Sequence, residues 1–153
     1  WGLPPVPQAA SASEVVLGLH LVRRGEPVVV VEGPVDAAVC GPGFVATLGA
    51  HMSPQQAALI ANSGASEAIV LYDGDKGGED GAPKAAELLA GLIPCRYGVC
   101  PPGEDPGSLG RDRSLECALA IASEIEISGL RSAEIRSPKL GMPIPFVRNL
   151  EKR

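Results

Sequence analysis

Aromatic side chains are nearly missing from this sequence of 153 residues, with Trp, Tyr and Phe together at 3%. A core must therefore be assembled from Val, Leu, Ile and Ala. No apolar run approaches the ~20 residues that cross a bilayer as a helix. No basic segment followed by an apolar one opens the chain, so neither a signal peptide nor a membrane partner is expected. A basic excess is lacking too, because the net charge is −5. A domain that grips nucleic acid alone is usually basic, since phosphate neutralisation supplies most of the affinity. This chain is thus expected either to leave nucleic acid alone or to handle it through metal ions and a basic neighbour. Cysteine is sparse and scattered, at Cys40, Cys95, Cys100 and Cys117. The closest two lack a second pair or a nearby His, which argues against zinc and for buried intracellular thiols. No internal repeat is visible.

What is present is an apolar fraction of 45%, with 19 glycines and 15 prolines in a length suited to one domain. The opening on Trp1 rather than Met reads as a piece of something longer. Residues 1–25 read as a linker with Pro4, Pro5 and Pro7, followed by a short helix over Ser13 to Arg24 capped by Ser13. Residues 26–128 form the domain proper, and the Pro-containing basic tail 129–153 is expected to be extended or to dock.

Within the domain, Val28 to Val31 is a strand beginning after Pro27. Pro34 then opens a helix to Cys40, ended by Gly41-Pro42-Gly43. Phe44 to Leu48 is a second strand. Ser53-Pro54-Gln55-Gln56 starts a helix by a capping box, running to about Ser63 with Gly64 as its C-terminal cap. Ala68 to Tyr72 is a third strand. A Gly-rich turn follows Asp75, then a helix to about Leu92, with Pro83 expected in its first turn. Cys95 to Cys100 is a fourth strand and Pro101 to Gly107 a loop. A last helix covers Ser114 to Ile127, with Leu115, Leu119 and Ile125 turned inward. Strands and helices alternating with short connections specify an α/β layered domain with a parallel sheet and right-handed crossovers.

Two strands carry the chemistry. Val28 to Val31 stops on Glu32-Gly33-Pro34-Val35-Asp36, and Ala68 to Tyr72 stops on Asp73-Gly74-Asp75-Lys76-Gly77-Gly78. A third acidic loop, Glu104-Asp105-Pro106, follows the fourth strand. Parallel α/β sheets place their sites beyond the carboxyl ends of the strands. If the first and third strands are neighbours, several carboxylates meet at one rim, and an oxygen-only cluster selects Mg²⁺ or Mn²⁺. Singly, each acid has a bland reading. Glu32 ends a strand, Asp36 suits a helix N-terminus, and Asp-Gly is ordinary in a type I turn. Gly33 lets the backbone turn tightly or approach a ligand, and the Gly-rich start of the third helix offers a phosphate seat. Lys76 is open to two roles, contact with a nucleotide phosphate or relief of local negative charge.

Glu32-Gly-Pro-Val-Asp36, Ala46-Thr-Leu-Gly49, Asp73-Gly-Asp-Lys-Gly-Gly78 and Pro102-Gly-Glu-Asp-Pro106 together resemble the TOPRIM domain of DnaG-type bacterial, phage and plasmid DNA primases, over residues 26 to 112. The resemblance implies a small Rossmann-like domain, four parallel strands with helices on both faces. It implies Glu32, Asp73 and Asp75 as the catalytic, metal-binding acids, with Asp36 and Asp105 completing or supporting the cluster. Lys76, Gly33, Gly49, Gly77 and Gly78 are the positions for contact with nucleotide. The implied activity is Mg²⁺- or Mn²⁺-dependent nucleotidyl transfer, joining ribonucleoside triphosphates into RNA primers on a single-stranded DNA template. A zinc-binding module and a basic subdomain, both missing from this stretch, are the implied partners that activity would need. A replicative helicase, fused or recruited, and the cytoplasm of a bacterium or phage-infected host complete the expectation. His51 stands where such primases carry another residue, and reads as a phosphate contact or a structural His. A TOPRIM-type metal-dependent nuclease and a non-catalytic binding domain with an acidic rim remain the alternatives.

Overall fold

The structure is a computed structural model that describes residues 11–127, with side chains described as far as Ile121. Its elements alternate in order: β1 (Val28–Val31), α1 (Pro34–Cys40), β2 (Phe44–Ala46), α2 (Pro54–Ala61), β3 (Ala68–Tyr72), α3 (Lys76–Ala90), β4 (Cys95–Val99) and α4 (Pro106–Ile127). The strands form one parallel sheet in the order β2-β1-β3-β4. β1 and β3 lie side by side at its centre, with Val29 opposite Ile69.

All four valines of β1 are buried, as the continuous β-branched run requires of a strand covered on both faces. Alternate residues serve opposite layers. Val28, Val30, Val70 and Tyr72 pack with Ile60 of α2 and Ala82, Ala85 and Leu89 of α3. Val29, Val31, Ile69 and Leu71 pack with Ala37 and Cys40 of α1 and Ala118 and Ile121 of α4. Helices therefore cover both faces. Each large aliphatic side chain removed from water contributes about 1.5–3 kcal/mol, so the paired layers, rather than aromatic bulk, hold the domain together.

Several elements differ from expectation. The helix expected over Ser13 to Arg24 is replaced by two short 3₁₀ turns, Ala12–Glu14 and Leu19–Leu21. Gly18, at φ 82°, breaks the segment between them. Leu17 instead exchanges both main-chain hydrogen bonds with Ala46, at 3.0 Å each, covering the edge of β2. Satisfying an open strand edge outweighs a weak helical pattern that contains β-branched Val15 and Val16. The cap is Ser11, which closes a capping box with Glu14, not Ser13.

β2 ends at Ala46, because Leu48 takes a positive φ of 64°. α2 ends at Ala61 with Asn62 as its cap. The glycines after Asp75 form no separate turn: α3 starts at Lys76, and Pro83 lies in its interior rather than its first turn. α4 starts at Pro106, inside the expected loop, and is interrupted at Gly110 (φ 72°, ψ 171°). After that break the buried face runs through Ser114, Ala118 and Ile121. Leu119, one position beyond Ala118, lies 64% exposed instead of inward, and Leu109 before the break is buried. The Ile125 side chain, the linker before Ser11 and the tail 129–153 lie outside the described residues. Among those residues no helix is long and apolar enough to cross a membrane.

Candidate active site

From β1 the chain moves outward to β2, then returns across β1 to place β3 on its other side. The crossovers diverge between β1 and β3, and such a switch point opens a crevice at the strands' carboxyl ends. Glu32 follows β1 and Asp73 follows β3 directly into it. Oε1 of Glu32 accepts a hydrogen bond from the Asp73 main-chain N–H at 3.2 Å.

The β4 loop is tied to the same place. The Gly74 N–H donates to the Glu104 carbonyl and the Gly103 N–H to the Gly74 carbonyl, both at 2.8 Å. A Cβ on Gly74 would run into the Pro101 carbonyl, so the glycine between Asp73 and Asp75 answers a close approach of two backbones. This pairing draws Asp105 toward Asp36 in the first turn of α1. The Gly33 and Gly107 main chains lie against the Asp36 carboxyl, and Asp105 is close enough to raise its pKa. Asp105 Oδ1 in turn accepts from the Ser108 N–H at 2.7 Å.

Crowding raises the pKa values of these acids. Burial pushes Asp73 up to about 7, aided by repulsion from Glu32, Asp36, Asp105 and Asp75. Its Oδ1 is buried and lacks a hydrogen-bond partner. Glu32 is raised mainly by burial, then by Asp75 and Asp36, against the lowering effects of the Asp73 N–H and His51. Asp36 is raised by burial and by Asp105. A buried acid oxygen without a partner is costly, and an oxygen-ligated cation would supply one. Among the described residues no three His, Cys, Asp or Glu side chains converge into a ready-made metal cage. Mg²⁺ commonly binds through one or two carboxylates plus waters and substrate phosphates, so the donor set fits it without such a cage.

The other expected positions are dispersed around this crevice. Asp75 is exposed and caps α3, its Oδ1 accepting from the Gly78 N–H at 2.9 Å. Gly78 is buried, and a Cβ there would collide with the Asp73 carbonyl. Packing therefore explains its identity, and its N–H is already engaged. Lys76 and Gly77 are exposed in the same first turn. Gly33 occupies the N-cap position of α1. The Gly49 N–H donates to the Glu32 carbonyl at 3.0 Å, bringing the loop after β2 and its His51 beside Glu32.

Three neighbours have roles beyond those their motifs signalled. Ser108 bridges Glu104 and Asp105, its hydroxyl donating to Glu104 Oε2 at 2.8 Å. Thr47 lies 3.3 Å from the buried Tyr72 hydroxyl. Gln56, legible only as a capping residue, reaches well beyond its helix. The role of Ser108 had a local signal, in the spacing Asp105-x-x-Ser108 at a helix start, whereas those of Thr47 and Gln56 depend on distant segments.

Comparison with known proteins agrees with this geometry. Residues 29–109 match the Toprim-like family. DNA primase of Helicobacter pylori (strain ATCC 700392 / 26695) is 35% identical over 86 residues, which cover 51% of this chain and 15% of that protein. A DNA primase domain from Pseudomonas aeruginosa superposes with a TM-score of 0.63 at 25% identity, over 83% of this chain and 45% of that one. The RNA polymerase domain of Mycobacterium tuberculosis primase DnaG gives 0.57 at 26% identity, over 82% of this chain and 47% of that one. The chain thus spans less than half the length of each of these relatives. With the acidic motifs at the switch point of a four-stranded parallel sheet, and with the family match spanning that whole region, the chain belongs to the Toprim-like family, as a TOPRIM domain of the DnaG primase type.

Proposed function

We propose that this domain is the metal-dependent catalytic centre of a DNA primase, joining ribonucleoside triphosphates on single-stranded DNA into RNA primers. The observation that carries the reading is the buried, unpartnered Oδ1 of Asp73, set among acids at the switch point. Asp73, Asp75 and Glu32 would hold Mg²⁺ or Mn²⁺, with Asp36 and Asp105 in support. When bound, the ion lowers the pKa of an attacking hydroxyl and offsets charge on the triphosphate.

The residues have separate tasks. Glu32 Oε1 is engaged by the Asp73 N–H, which leaves Oε2 to accept the proton of the attacking hydroxyl. The raised pKa of Glu32 suits it to that transfer. Asp75 spends Oδ1 on its helix cap, which leaves Oδ2 for the ion. Asp36 and Asp105 stand side by side where the β4 loop meets α1. Lys76 and the exposed Gly77, at the start of α3, face the phosphates. The Mycobacterium tuberculosis neighbour is an RNA polymerase domain, which supports ribonucleotides as substrates. The net charge of −5 supports a separate basic subdomain as the holder of the DNA.

The test joins this chain to a zinc-binding module and basic subdomain and measures ribonucleotide incorporation on a single-stranded template with Mg²⁺. Asp73→Asn is expected to lower it on the order of 100-fold or more. Cutting of DNA by the natural chain with Mg²⁺ and no nucleotides would replace this reading with that of a nuclease.

A further inference from the structure

Gln56 is 1% exposed in the first turn of α2, yet most of its partners lie outside that helix. Its Nε2 is 2.9 Å from the carbonyl oxygens of Ala12 and Val15 and 2.7 Å from that of Thr47. Oε1 accepts from the Ser53 N–H at 2.9 Å. The capping box needs only the last of these contacts. Through the others, two amide protons are shared among three carbonyls, which joins the segment Ser11–Leu17 to the loop after β2.

That loop borders Glu32. The Thr47 hydroxyl donates to the Gly49 carbonyl at 2.9 Å, and the Gly49 N–H donates to the Glu32 carbonyl at 3.0 Å. Between them Leu48 holds φ 64°, a left-handed conformation that a side chain of its kind keeps only where its surroundings impose it. Its side chain packs against the layer that holds Ala37 and Cys40, while the Thr47 carbonyl before it is held by Gln56. Leu17 pairs with Ala46 through two main-chain hydrogen bonds, and the Ser53 hydroxyl donates to the Ser13 carbonyl.

We propose that Gln56 is a positioning residue through which the segment Ser11–Leu17 sets the loop Thr47–Gly49 and, through Gly49, the backbone of Glu32. Seating of that segment and the shape of the acidic crevice form one mechanical unit. The proposal rests on the catalytic reading above only in taking Glu32 as a site group.

The experiment uses the full chain and three variants. Gln56→Met keeps length and volume but has no donors. Leu17→Pro removes an N–H given to Ala46 and leaves Gln56 untouched. Ile60→Val trims the core beneath the same helix and serves as the stability control. Amide hydrogen exchange at Gly49 is expected to quicken about tenfold or more in Gln56→Met and Leu17→Pro, with the β3 amides and the control unchanged after correction for global stability. With Mn²⁺ alone as the probe, followed by electron paramagnetic resonance, binding is expected to weaken about threefold or more in the same two variants. Unchanged Gly49 exchange in both overturns the proposal, and so does faster exchange with unaltered Mn²⁺ binding. If Gln56→Met does not fold, Leu17→Pro decides alone. A natural chain that binds no Mn²⁺ counts against the catalytic reading, and Gly49 exchange then decides the positioning role.

Discussion

The main-chain N–H of Asp73, at the end of β3, donates to Oε1 of Glu32, at the end of β1, across 3.2 Å. The two central strands are thereby joined at their carboxyl ends by a group that belongs to the site. One oxygen of Glu32 is held still, while the Asp73 carboxyl beside it is left to repulsion. Carboxylates crowded this way repel one another, and a proton on Asp73 relieves that repulsion.

The pH dependence of stability follows from Asp73. Its folded pKa stands at about 7, above the ordinary value of 3.8, so the folded state holds this proton more tightly than the unfolded state. Stability is therefore greatest at low pH on this account, falls as pH rises through about 7, and stays reduced above it. Asp73→Asn should remove that fall and stabilise the chain near pH 8 by about 1 kcal/mol, discounted for the solvent that reaches the site. Millimolar Mg²⁺ or Mn²⁺ should raise the melting point of the natural chain there and leave the variant indifferent. Thermal unfolding from about pH 5 to about pH 8 checks this. Matching curves for the two chains would sink it.

Asp75 combines a structural task with a proposed one, and two substitutions separate them. Asp75→Asn keeps an oxygen to accept the Gly78 N–H and should leave stability nearly unchanged, while weakening Mn²⁺ binding. Asp75→Ala loses the cap as well and should cost about 1 kcal/mol in urea unfolding. Equal stability of the two variants would deny the cap its role.

Gly74 is expected to tolerate no side chain. Gly74→Ala places a Cβ against the Pro101 carbonyl and pushes apart the loops that Gly74, Gly103 and Glu104 hold together. A cost of about 2–4 kcal/mol is expected. Gly91→Ala is the control, because a Cβ there meets nothing within 4 Å and its backbone is in the right-handed helical region. It should be neutral or gain about 0.5 kcal/mol. Denaturant midpoints that shift alike would show that β3 and β4 have room to spare.

The phase of α4 can be read in its stability profile. Ile121→Ala should cost about 2–4 kcal/mol, since Ile121 is 1% exposed and packs on the sheet. Leu119→Ala, at a side chain 64% exposed, should stay within about 0.5 kcal/mol of the natural chain. The reverse order would restore the inward placement of Leu119 that the sequence suggests.

Local chemistry was legible where it is carried by contiguous residues. The run Val28 to Val31 can be little else than a strand covered on both sides, and it is. Ala68 to Tyr72 was legible to its last residue, and Ser53-Pro54-Gln55-Gln56 carries its capping box in plain order. The sequence by itself therefore determined a parallel α/β domain with acids beyond three of its four strands, and its four motifs in series pointed to the family. Contacts between distant segments were decided by the tertiary structure. Leu17 pairs with Ala46, Gln56 reaches Ala12 and Thr47, and Gly74 is small because Pro101 passes over it. Asp73 has an ordinary carboxyl in isolation, and only burial among Glu32, Asp36, Asp105 and Asp75 lifts its pKa to about 7. The physical reason is one of range. Propensity, capping and burial period act over a few neighbouring residues, whereas edge pairing, backbone clearance and charge repulsion depend on which segments the fold brings together.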